Sequence, residues 1–314
     1  MIAITMGDPN GVGPEIVVRG FAAGIFPGDT VVYGDAAALR AVTHTLGMEE
    51  LPGGIEVVDC RMMSPDQISP GKVSESAGAA SIEYVRHATE DALEGRIDAI
   101  VTLPINKEAV GLSIPGFQGH TDYIADLCGV KDYAMMLASE RLAVAHLTTH
   151  LSLREAIDRV TTERVTMVTR LLNDTLGRFL ESPRIAVAGL NPHAGEHGAF
   201  GSEDDDYVRP AVRRLQAAGL KVEGPVPADT AFYKGFSGAY DGIVALYHDQ
   251  GHIPMKTMDF LGTVNVTLGL PIIRTSVDHG TAFDIAYQGK VNIDNAAAAY
   301  KYAERLVQNP NHRG

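Results

Sequence analysis

The sequence predicts an α/β protein in which strands and helices alternate along the chain. Short apolar runs of strand length alternate with longer segments of helical periodicity. The run at 99–103 is continuously apolar, as expected for a parallel sheet covered on both faces. Glycine is abundant, at 33 of 314 residues, and it suits many tight strand-to-helix turns. A chain of this length is expected to form about two domains.

The strands are predicted from apolar runs that polar or glycine-containing segments interrupt. These runs are 2–6, 30–34, 55–59, 99–103, 133–138, 142–147, 184–190, 243–247 and 263–268.

The helices are predicted from apolar residues that recur at helical spacing. In the segment 75–93, Ile82, Val85 and Leu93 fall on roughly one face, and Gly95 provides a stop. Ser152 with Glu155 forms a capping box that opens a short helix. The other predicted helices are 14–21, 36–46, 162–180 and 295–307.

Composition and charge exclude some classes of partner. The formal net charge is −13, which argues against nonspecific binding to nucleic acid or anionic membranes. Cys60 and Cys128 show no metal-binding or disulfide spacing and suit a reducing compartment. The N-terminus lacks a basic region, and no apolar run approaches the ~18 residues of a membrane span. We therefore expect a soluble, cytoplasmic protein.

The first turn is rich in glycine. Gly7, Gly11 and Gly13 follow the first strand, and Pro14 suits the first turn of a helix. The loop resembles a phosphate cradle but lacks both G-x-G-x-x-G and the Lys-Ser/Thr ending of a P-loop. A structural turn and a ligand-binding edge are equally consistent with it.

Three predicted strands are each followed within a few residues by a histidine: His150, His193 and His248. The carboxyl ends of parallel strands share one edge of a sheet, so the three imidazoles are expected to converge. Three neutral imidazoles with open positions suit a catalytic divalent metal such as zinc. A single such histidine is more often a cap, but three at equivalent positions favour the metal site. The acidic run 203–206 is instead predicted to be a solvated helix start.

Basic and polar residues near these strand ends suit an anionic ligand. Arginine binds carboxylate or phosphate by a bidentate fork and lysine as a point charge, and a hydroxyl at a helix N-terminus also suits anions. Thr121 is a candidate cap of the helix that follows it. Lys107 is equally consistent with a phosphate ligand, a proton donor or a solvated side chain. The chemistry leaves alcohol oxidation, β-keto acid decarboxylation and hydrolysis open. The candidate substrate residues are His120, Thr121, Lys256, Asn265 and Arg274.

These motifs resemble the 4-hydroxythreonine-4-phosphate dehydrogenase (PdxA) family over essentially the whole chain. The resemblance is carried by Gly7-Asp-Pro-Asn-Gly-Val-Gly-Pro-Glu15, Gly119-His-Thr121, Thr149-His-Leu151, Asn191-Pro-His-Ala-Gly-Glu196, Pro227-Ala-Asp-Thr230, Tyr247-His-Asp-Gln-Gly251, Val264-Asn265 and Ile273-Arg-Thr-Ser-Val-Asp-His-Gly-Thr-Ala282.

The resemblance implies a two-domain α/β fold of the isocitrate/isopropylmalate dehydrogenase type, with the active site in the cleft between domains. The expected domains are 1–110 plus 283–314, and 111–282, the second carrying the metal, substrate and dimerisation residues. It implies a homodimer and NAD- or NADP-dependent oxidation, then decarboxylation, of a 4-phosphorylated hydroxy acid. His150, His193 and His248 would hold Zn, Mg, Mn or Co, and the candidate substrate residues above would contact the substrate.

A second resemblance concerns the nucleotide. The segment Asp278-His-Gly-Thr-Ala-Phe-Asp-Ile-Ala286 is similar to the adenine-side loop of β-decarboxylating dehydrogenases, although Phe283 stands where those enzymes have proline. The residues that this resemblance assigns to the cofactor are His279, Gly280, Thr281, Asp284 and Asn292. NAD is favoured over NADP because no cluster of basic residues is seen for a 2′-phosphate.

The resemblance leaves the catalytic acid and base and the substrate open. Asp249 and Lys256 are alternative bases for the hydroxyl proton, and Lys107 is a candidate acid for the final protonation. The segments His252-Ile-Pro-Met-Lys256 and Phe283-Asp-Ile-Ala286 resemble the branch of the family that acts on D-threonate or D-erythronate 4-phosphate. The vitamin B6 branch more often has an apolar residue at position 252. The alternatives are a cis-dihydrodiol carboxylate dehydrogenase of the same family and a metal-dependent hydrolase or aldolase.

Overall fold

The computed structural model describes residues 1–308, which divide into two compact units. The first unit contains Met1–Lys131 and Leu270–Val307, and the second contains Asp132–Gly269.

The strands of residues 1–308 match most of the predicted apolar runs to within one or two residues. They are β1 (Ile2–Thr5), β2 (Val31–Gly34), β3 (Glu56–Asp59), β4 (Ala99–Thr102), β5 (Ala134–Ala138), β6 (Ala143–His146), β7 (Arg184–Ala188), β8 (Lys221–Val226), β9 (Gly242–Ala245), β10 (Val264–Leu268) and β11 (Ile273–Ser276).

The helices within residues 1–308 lie mostly between consecutive strands. They are α1 (Gly13–Ala22), α2 (Ala36–Thr45), α3 (Glu75–Leu93), α4 (Lys107–Ser113), α5 (His120–Leu127), α6 (Leu153–Asp158), α7 (Thr162–Leu176), α8 (Arg209–Ala217), α9 (Ala228–Phe236), α10 (His248–Met258) and α11 (Asp294–Val307).

The sheet of the first unit is parallel throughout, with strand order β3-β2-β1-β4-β11. Its central strands β1 and β4 are fully buried, as the continuous apolar run predicted. This packing places the carboxyl ends of β1, β4 and β11 at one edge.

The sheet of the second unit is mixed, with strand order β10-β5-β6-β9-β7-β8. Strands β6, β9, β7 and β8 are mutually parallel, but β5 is antiparallel to both β6 and β10. The expectation of a parallel sheet is therefore wrong for β5 and β10. The link from β5 to β6 is a tight turn in which the Ser139 hydroxyl accepts from the backbone N–H groups of Arg141 and Leu142, and so short a link permits only antiparallel pairing.

The division into units differs from the predicted domain limits. Residues 111–131 and 270–282 lie in the first unit, because α5 packs against α3 and β11 pairs with β4. His120, Thr121 and Arg274 therefore belong to the first unit, whereas the resemblance had placed them in the second. The end of the predicted first domain, 309–314, lies outside the described residues.

Some helix predictions also change. Helix α10 begins at His248, where the sequence had indicated only a polar strand exit, and α7 ends at Leu176 rather than at residue 180. Thr121 does not cap α5, because Gly119 occupies the N-cap position and no side chain caps the helix. The capping box of Ser152 and Glu155 is confirmed.

The apolar core of the second unit packs between β6, β7, β9 and helices α9 and α10, with Val144, Ala186, Ile243 and Met255 among its buried residues. Among residues 1–308, no helix is both long and apolar enough to cross a membrane.

Replacing Gly78 with alanine tests how closely α3 approaches α4. A Cβ at Gly78 would lie 2.3 Å from the backbone carbonyl of Ala109, which cannot move without shifting α4. We expect Gly78→Ala to lower the free energy of unfolding by about 1–3 kcal/mol in urea denaturation. A Cβ at Gly111 in α4 would instead have no heavy atom within 4 Å. Gly111→Ala should therefore raise the free energy of unfolding by roughly 0.5–1 kcal/mol. If both variants changed this free energy equally, the close approach of α3 to α4 at Gly78 would be contradicted.

Candidate functional site

The three predicted metal-ligating histidines follow neighbouring parallel strands of the second unit. His150 comes four residues after β6, His248 begins α10 after β9, and His193 comes shortly after β7. These strands lie in the order β6-β9-β7, so their carboxyl ends share one edge of the sheet. The strand positions expected from the sequence are therefore present.

The structure brings two of these histidines together. The ring centroids of His150 and His248 are 6.0 Å apart, whereas the His193 ring lies 6.0 Å from that of Phe200. Two imidazoles that share a zinc ion at about 2.0–2.1 Å have centroids on the order of 5–6 Å apart. The spacing of His150 and His248 is thus that of two ligands of one cation. Within residues 1–308, however, no three His, Cys, Asp or Glu side chains are gathered closely enough to hold one.

Asp249 orients the ring of His248. Its Oδ1 lies 2.7 Å from Nδ1 of His248, and the carboxylate is largely exposed. With the proton on Nδ1, His248 keeps the lone pair of Nε2 for a ligand, as in carboxylate–histidine–metal arrangements. The structure thus gives this candidate base a contact with a candidate metal ligand.

Two buried histidines lie behind His248: His146, which the sequence did not point to, and His252, which was expected only to mark the substrate branch. His252 stacks on His248 with centroids 3.6 Å apart and planes 12° apart, and its Nδ1 lies 3.1 Å from Nε2 of His146. Burial, and to a lesser extent the neighbouring His252, lowers the pKa of His146 to about 3. The available signal for His146 was an imidazole at the end of an otherwise apolar strand.

Gly251 and Gln250 fix the start of α10. A Cβ on Gly251 would lie 2.3 Å from Nε2 of His146, so a larger residue would push the helix from β6. The Gln250 amide accepts from the backbone N–H of Leu246 at 2.7 Å and donates to the carbonyl of Gly189 at 2.8 Å. This side chain therefore ties the segment carrying His248 to the segment leading to His193.

His193 lies in a left-handed turn. Every residue from 193 to 198 has a positive φ, between 42° and 90°. This conformation costs about 1–2 kcal/mol for each non-glycine residue, so the surrounding structure must hold it. Such strain is common at functional sites and is consistent with a functional role for this turn.

The buried carboxylate of Asp204 holds the chain that leads into this turn. Its two oxygens accept from the backbone N–H groups of Leu190 and Asn191 at 2.7 and 2.9 Å, and Glu203 accepts from the Asn191 side chain. The interpretation of 203–206 as a solvated helix start is therefore wrong for Asp204. Asp204 is buried because its carboxylate pairs two backbone N–H groups that would otherwise have no acceptor.

The first unit contains a buried cationic group. Arg274 is 3% exposed, with Nε and Nη2 3.1 and 2.7 Å from the Thr102 hydroxyl and Nη1 3.3 Å from the Thr121 hydroxyl. Burial lowers the pKa of Arg274 to about 9, since water no longer stabilises the charge. An anion beside this guanidinium would offset that loss.

His120 lies near this guanidinium, at the N-terminus of α5. Its Nε2 is buried and has no hydrogen-bond partner. Burial lowers the pKa of His120 well below its usual range, and the positive charges of Arg274 and Lys107 lower it further. The sequence predicted an anion site of His120, Thr121 and Arg274, and the structure brings these three side chains together.

Lys256 and Asn265 lie in the second unit. Lys256 is on α10, half-buried, with its Nζ 5.6 Å from the centroid of the Phe260 ring. Asn265 is half-buried on β10. Each is thus in the same unit as the strand-end histidines.

The segment assigned to the cofactor packs on the N-terminal glycine-rich loop. The backbone N–H of Val12 donates to the carbonyl of Thr281 at 3.0 Å, and the Tyr287 hydroxyl donates to the carbonyl of Pro9 at 2.8 Å. Thr281 is buried, and the other four assigned residues are exposed: His279, Gly280, Asp284 and Asn292. The side-chain oxygen of Asn292 also accepts a hydrogen bond from the backbone N–H of Asp294, at the start of α11.

The N-terminal loop therefore supports the 279–292 segment, whichever ligand role it has. Glu15 is buried, and its Oε1 accepts from the backbone N–H of Val291, next to Asn292. Burial raises the pKa of Asp8 in this loop to about 6. These contacts favour the structural interpretation of the glycine-rich turn.

Comparison with known proteins gives the family. The family model for the pyridoxal phosphate biosynthetic protein PdxA matches residues 25–303. The chain belongs to the PdxA family. The resemblance seen in its motifs is therefore confirmed.

Relatives within the PdxA family are similar over nearly their full length. A D-threonate 4-phosphate dehydrogenase from Salmonella typhimurium is 44% identical, covering 98% of both chains. One from Pectobacterium atrosepticum is 41% identical, covering 98% of this chain and 99% of the relative. The crystal structure of a 4-hydroxythreonine-4-phosphate dehydrogenase from Klebsiella pneumoniae has a TM-score of 0.90 at 44% identity, covering 98% and 99% of the two chains. This last match confirms the α/β fold.

Replacing Asp204 with asparagine tests whether its carboxylate holds the turn of His193. The amide keeps one acceptor but turns an NH₂ group toward a backbone N–H, so one buried hydrogen bond is lost. We expect the free energy of unfolding to fall by about 1–3 kcal/mol in urea denaturation. Asp205→Asn is the matched control, because Asp205 pairs with Arg209 at the surface and should change stability by less than about 1 kcal/mol. A loss no larger than that of the control would show that Asp204 does not hold the turn.

Proposed function

We propose that this protein is a dehydrogenase that oxidises D-threonate 4-phosphate, or the closely similar D-erythronate 4-phosphate, with NAD or NADP. Relatives at 41–44% identity over the whole chain carry the name D-threonate 4-phosphate dehydrogenase. The single structural observation that carries the proposal is the buried guanidinium of Arg274 beside the side chains of His120 and Thr121. It suits the phosphate shared by these substrates.

In the proposed reaction the secondary alcohol beside the phosphorylated carbon is oxidised. A base takes the hydroxyl proton while the C–H hydride passes to C4 of the nicotinamide. The resulting β-keto acid loses CO₂, and a proton replaces the carboxylate, giving a phosphorylated ketone. Each turnover therefore consumes one oxidised nucleotide and releases one CO₂.

His150, His193 and His248 are the proposed ligands of a divalent cation, chosen from Zn, Mg, Mn and Co. When bound, such a cation would polarise the substrate hydroxyl and carbonyl oxygens as a Lewis acid. The exposed His150 and the half-exposed His248 supply imidazoles from adjacent strand ends.

The proposed acid–base groups lie on two elements. Lys256 and Asp249 are alternative bases on α10, and the contact of Asp249 with His248 favours Lys256 for the proton transfer itself. Lys107, at the start of α4, is the proposed acid for the final protonation. Lys256 and Asn265 would also contact the substrate.

The proposed nucleotide contacts are His279, Gly280, Thr281, Asp284 and Asn292. The exposure of four of these residues leaves their surfaces open to a ligand. A homodimer is proposed as the functional assembly. The exposed Ile253 and Met258 on α10, with Phe260 just after it, offer apolar surface for it. The cytoplasmic location stays a prediction.

A phosphate-free substrate is the alternative within the family. The crystal structure of a terephthalate 1,2-cis-dihydrodiol dehydrogenase from Burkholderia xenovorans has a TM-score of 0.73 at 31% identity, covering 97% of each chain. The cationic group of the first unit favours the phosphorylated substrate.

Substrate and reaction class can be tested together by following reduced nucleotide. With a divalent metal present, we expect NADH to form with D-threonate or D-erythronate 4-phosphate, faster than with 4-hydroxythreonine 4-phosphate. The unphosphorylated acids and a cis-dihydrodiol carboxylate serve as controls. Release of phosphate or aldehyde without NADH or NADPH formation would instead identify a hydrolase or aldolase.

Arg274→Lys tests the phosphate assignment. Lysine keeps the charge but cannot reproduce the fork that reaches both Thr102 and Thr121. We expect KM for the phosphorylated substrate to rise about 10-fold or more, measured by steady-state NADH formation. Arg40→Lys, at an exposed position on α2, is the matched control and should change neither KM nor kcat. An unchanged KM in Arg274→Lys would remove Arg274 from the phosphate site.

A further inference from the structure

The side chain of Thr102 lies against the buried guanidinium of Arg274 in the first unit. Thr102 is the last residue of β4 and pairs with Ser276 of the parallel strand β11. Arg274 comes two residues before Ser276, so its side chain leaves the same face of the sheet. Thr102 is 0% exposed and Arg274 is 3% exposed. The contact between them therefore forms in the interior of this unit.

The hydroxyl of Thr102 binds one edge of the guanidinium. Its oxygen accepts from Nε of Arg274 at 3.1 Å and from Nη2 at 2.7 Å, and the hydroxyl donates to the carbonyl of Thr275 at 3.4 Å. A hydroxyl has one hydrogen and two lone pairs, so these three contacts use all of them. The guanidinium is planar and its N–H groups have a fixed geometry. Two hydrogen bonds along one edge therefore determine where its other end points.

The other end of the guanidinium faces the start of α5. Nη1 of Arg274 lies 3.3 Å from the hydroxyl of Thr121, in the first turn of that helix. The adjacent His120 has a buried Nε2 that finds no hydrogen-bond partner within residues 1–308. Burial, and then the charge of Arg274, lowers the pKa of His120, so the two side chains are close. The end of the guanidinium opposite Thr102 is thus the end beside the proposed phosphate contacts.

Thr102 holds the guanidinium without cancelling its charge. Buried arginines are usually paired with a carboxylate. A carboxylate at this position would orient the guanidinium as well, but its negative charge would repel an anionic ligand. The threonine hydroxyl is neutral, so the positive charge of Arg274 stays available to an anion. This combination of fixed direction and retained charge suits an anion-binding arginine.

We propose that Thr102 is a positioning residue whose hydroxyl sets the plane of the Arg274 guanidinium, so that Nη1 is directed toward Thr121 and a bound phosphate group. This inference rests on the proposed function, in which Arg274 contacts the substrate phosphate. Thr102 itself acts only through Arg274. Loss of its hydroxyl is therefore expected to misdirect a charged group that is still present.

Two substitutions at position 102 separate the hydroxyl from the shape of the side chain. Thr102→Val keeps the shape but removes the acceptor for Nε and Nη2. Thr102→Ser keeps the hydroxyl but removes a methyl group. Thr89→Val is the matched control, because Thr89 is also 0% exposed in the first unit and its hydroxyl donates to the carbonyl of Val85 inside α3.

The first measurement is steady-state NADH formation from D-threonate 4-phosphate by the full-length protein. We expect Thr102→Val to raise KM about 10-fold or more with kcat little changed, because a hydrogen bond to a charged group is lost. Thr102→Ser should return KM toward the wild-type value, and Thr89→Val should leave it unchanged. Thermal unfolding followed by circular dichroism identifies variants that fail to fold. A folded Thr102→Val with the wild-type KM would overturn the inference and leave Thr102 a purely structural role.

The second measurement needs no turnover and uses inorganic phosphate as the probe. In protein with ¹⁵N-labelled arginine, the NMR signals of the Arg274 guanidinium are identified by their loss in Arg274→Lys. We expect the wild type to show separate Nη signals that shift with phosphate. In Thr102→Val these signals should average and respond to phosphate about 10-fold more weakly. Averaged signals already in the wild type would overturn the positioning role, even if Thr102→Val fails to fold.

The two measurements distinguish failure of the inference from failure of the proposed function. Equal phosphate responses in wild type and Thr102→Val overturn the inference alone. A wild type that forms no NADH but shows the expected phosphate responses contradicts the proposed reaction and supports the inference. Separate wild-type signals that phosphate does not shift contradict the proposed phosphate site, and the inference fails with it.

Discussion

The close approach of α10 to β6 at Gly251 is the constraint on which the histidine arrangement of the second unit depends. A Cβ at this position would lie 2.3 Å from Nε2 of His146 and 3.0 Å from the Cβ of Ala245. Because glycine has no Cβ, the helix can begin directly at the carboxyl end of β9 and bring His252 against His146. His248 then occupies the first position of the helix. The neighbouring Gln250 joins the same helix start to Gly189, four residues before His193.

The two units supply different chemistry, although the chain as a whole has a formal net charge of −13. The first unit buries the guanidinium of Arg274 against two threonine hydroxyls, next to an unpartnered nitrogen of His120. Such a group favours an anion, because burial has removed the water that would otherwise stabilise the positive charge. The second unit instead presents imidazoles, which bind divalent cations in their neutral form.

The strands and most helices could be predicted because each depends on a local pattern. Helix α3 has the predicted bounds, since its apolar spacing and the stop at Gly95 lie within the segment itself. Helix α10 could not be predicted in this way, because Gly251 and Pro254 are poor helix formers and tertiary contacts outweigh their propensity. The antiparallel pairing of β5 with β6 and β10 was likewise not predictable, since the period of a strand is the same in parallel and antiparallel sheets.

In the candidate site, too, some features could be predicted from local sequence and others depend on tertiary contacts. The positions of His150, His193 and His248 after three strands followed from the sequence alone, because apolar runs mark where strands end. The partners of those side chains were decided by contacts between distant residues, such as His146 with His252, which are 106 positions apart. The left-handed turn of His193 is likewise held by Asp204, whose burial no local pattern reveals. The sequence by itself thus determined which residues reach the edge of the sheet. Tertiary structure decided their orientation, because the groups that fix each ring and each backbone turn come from other elements.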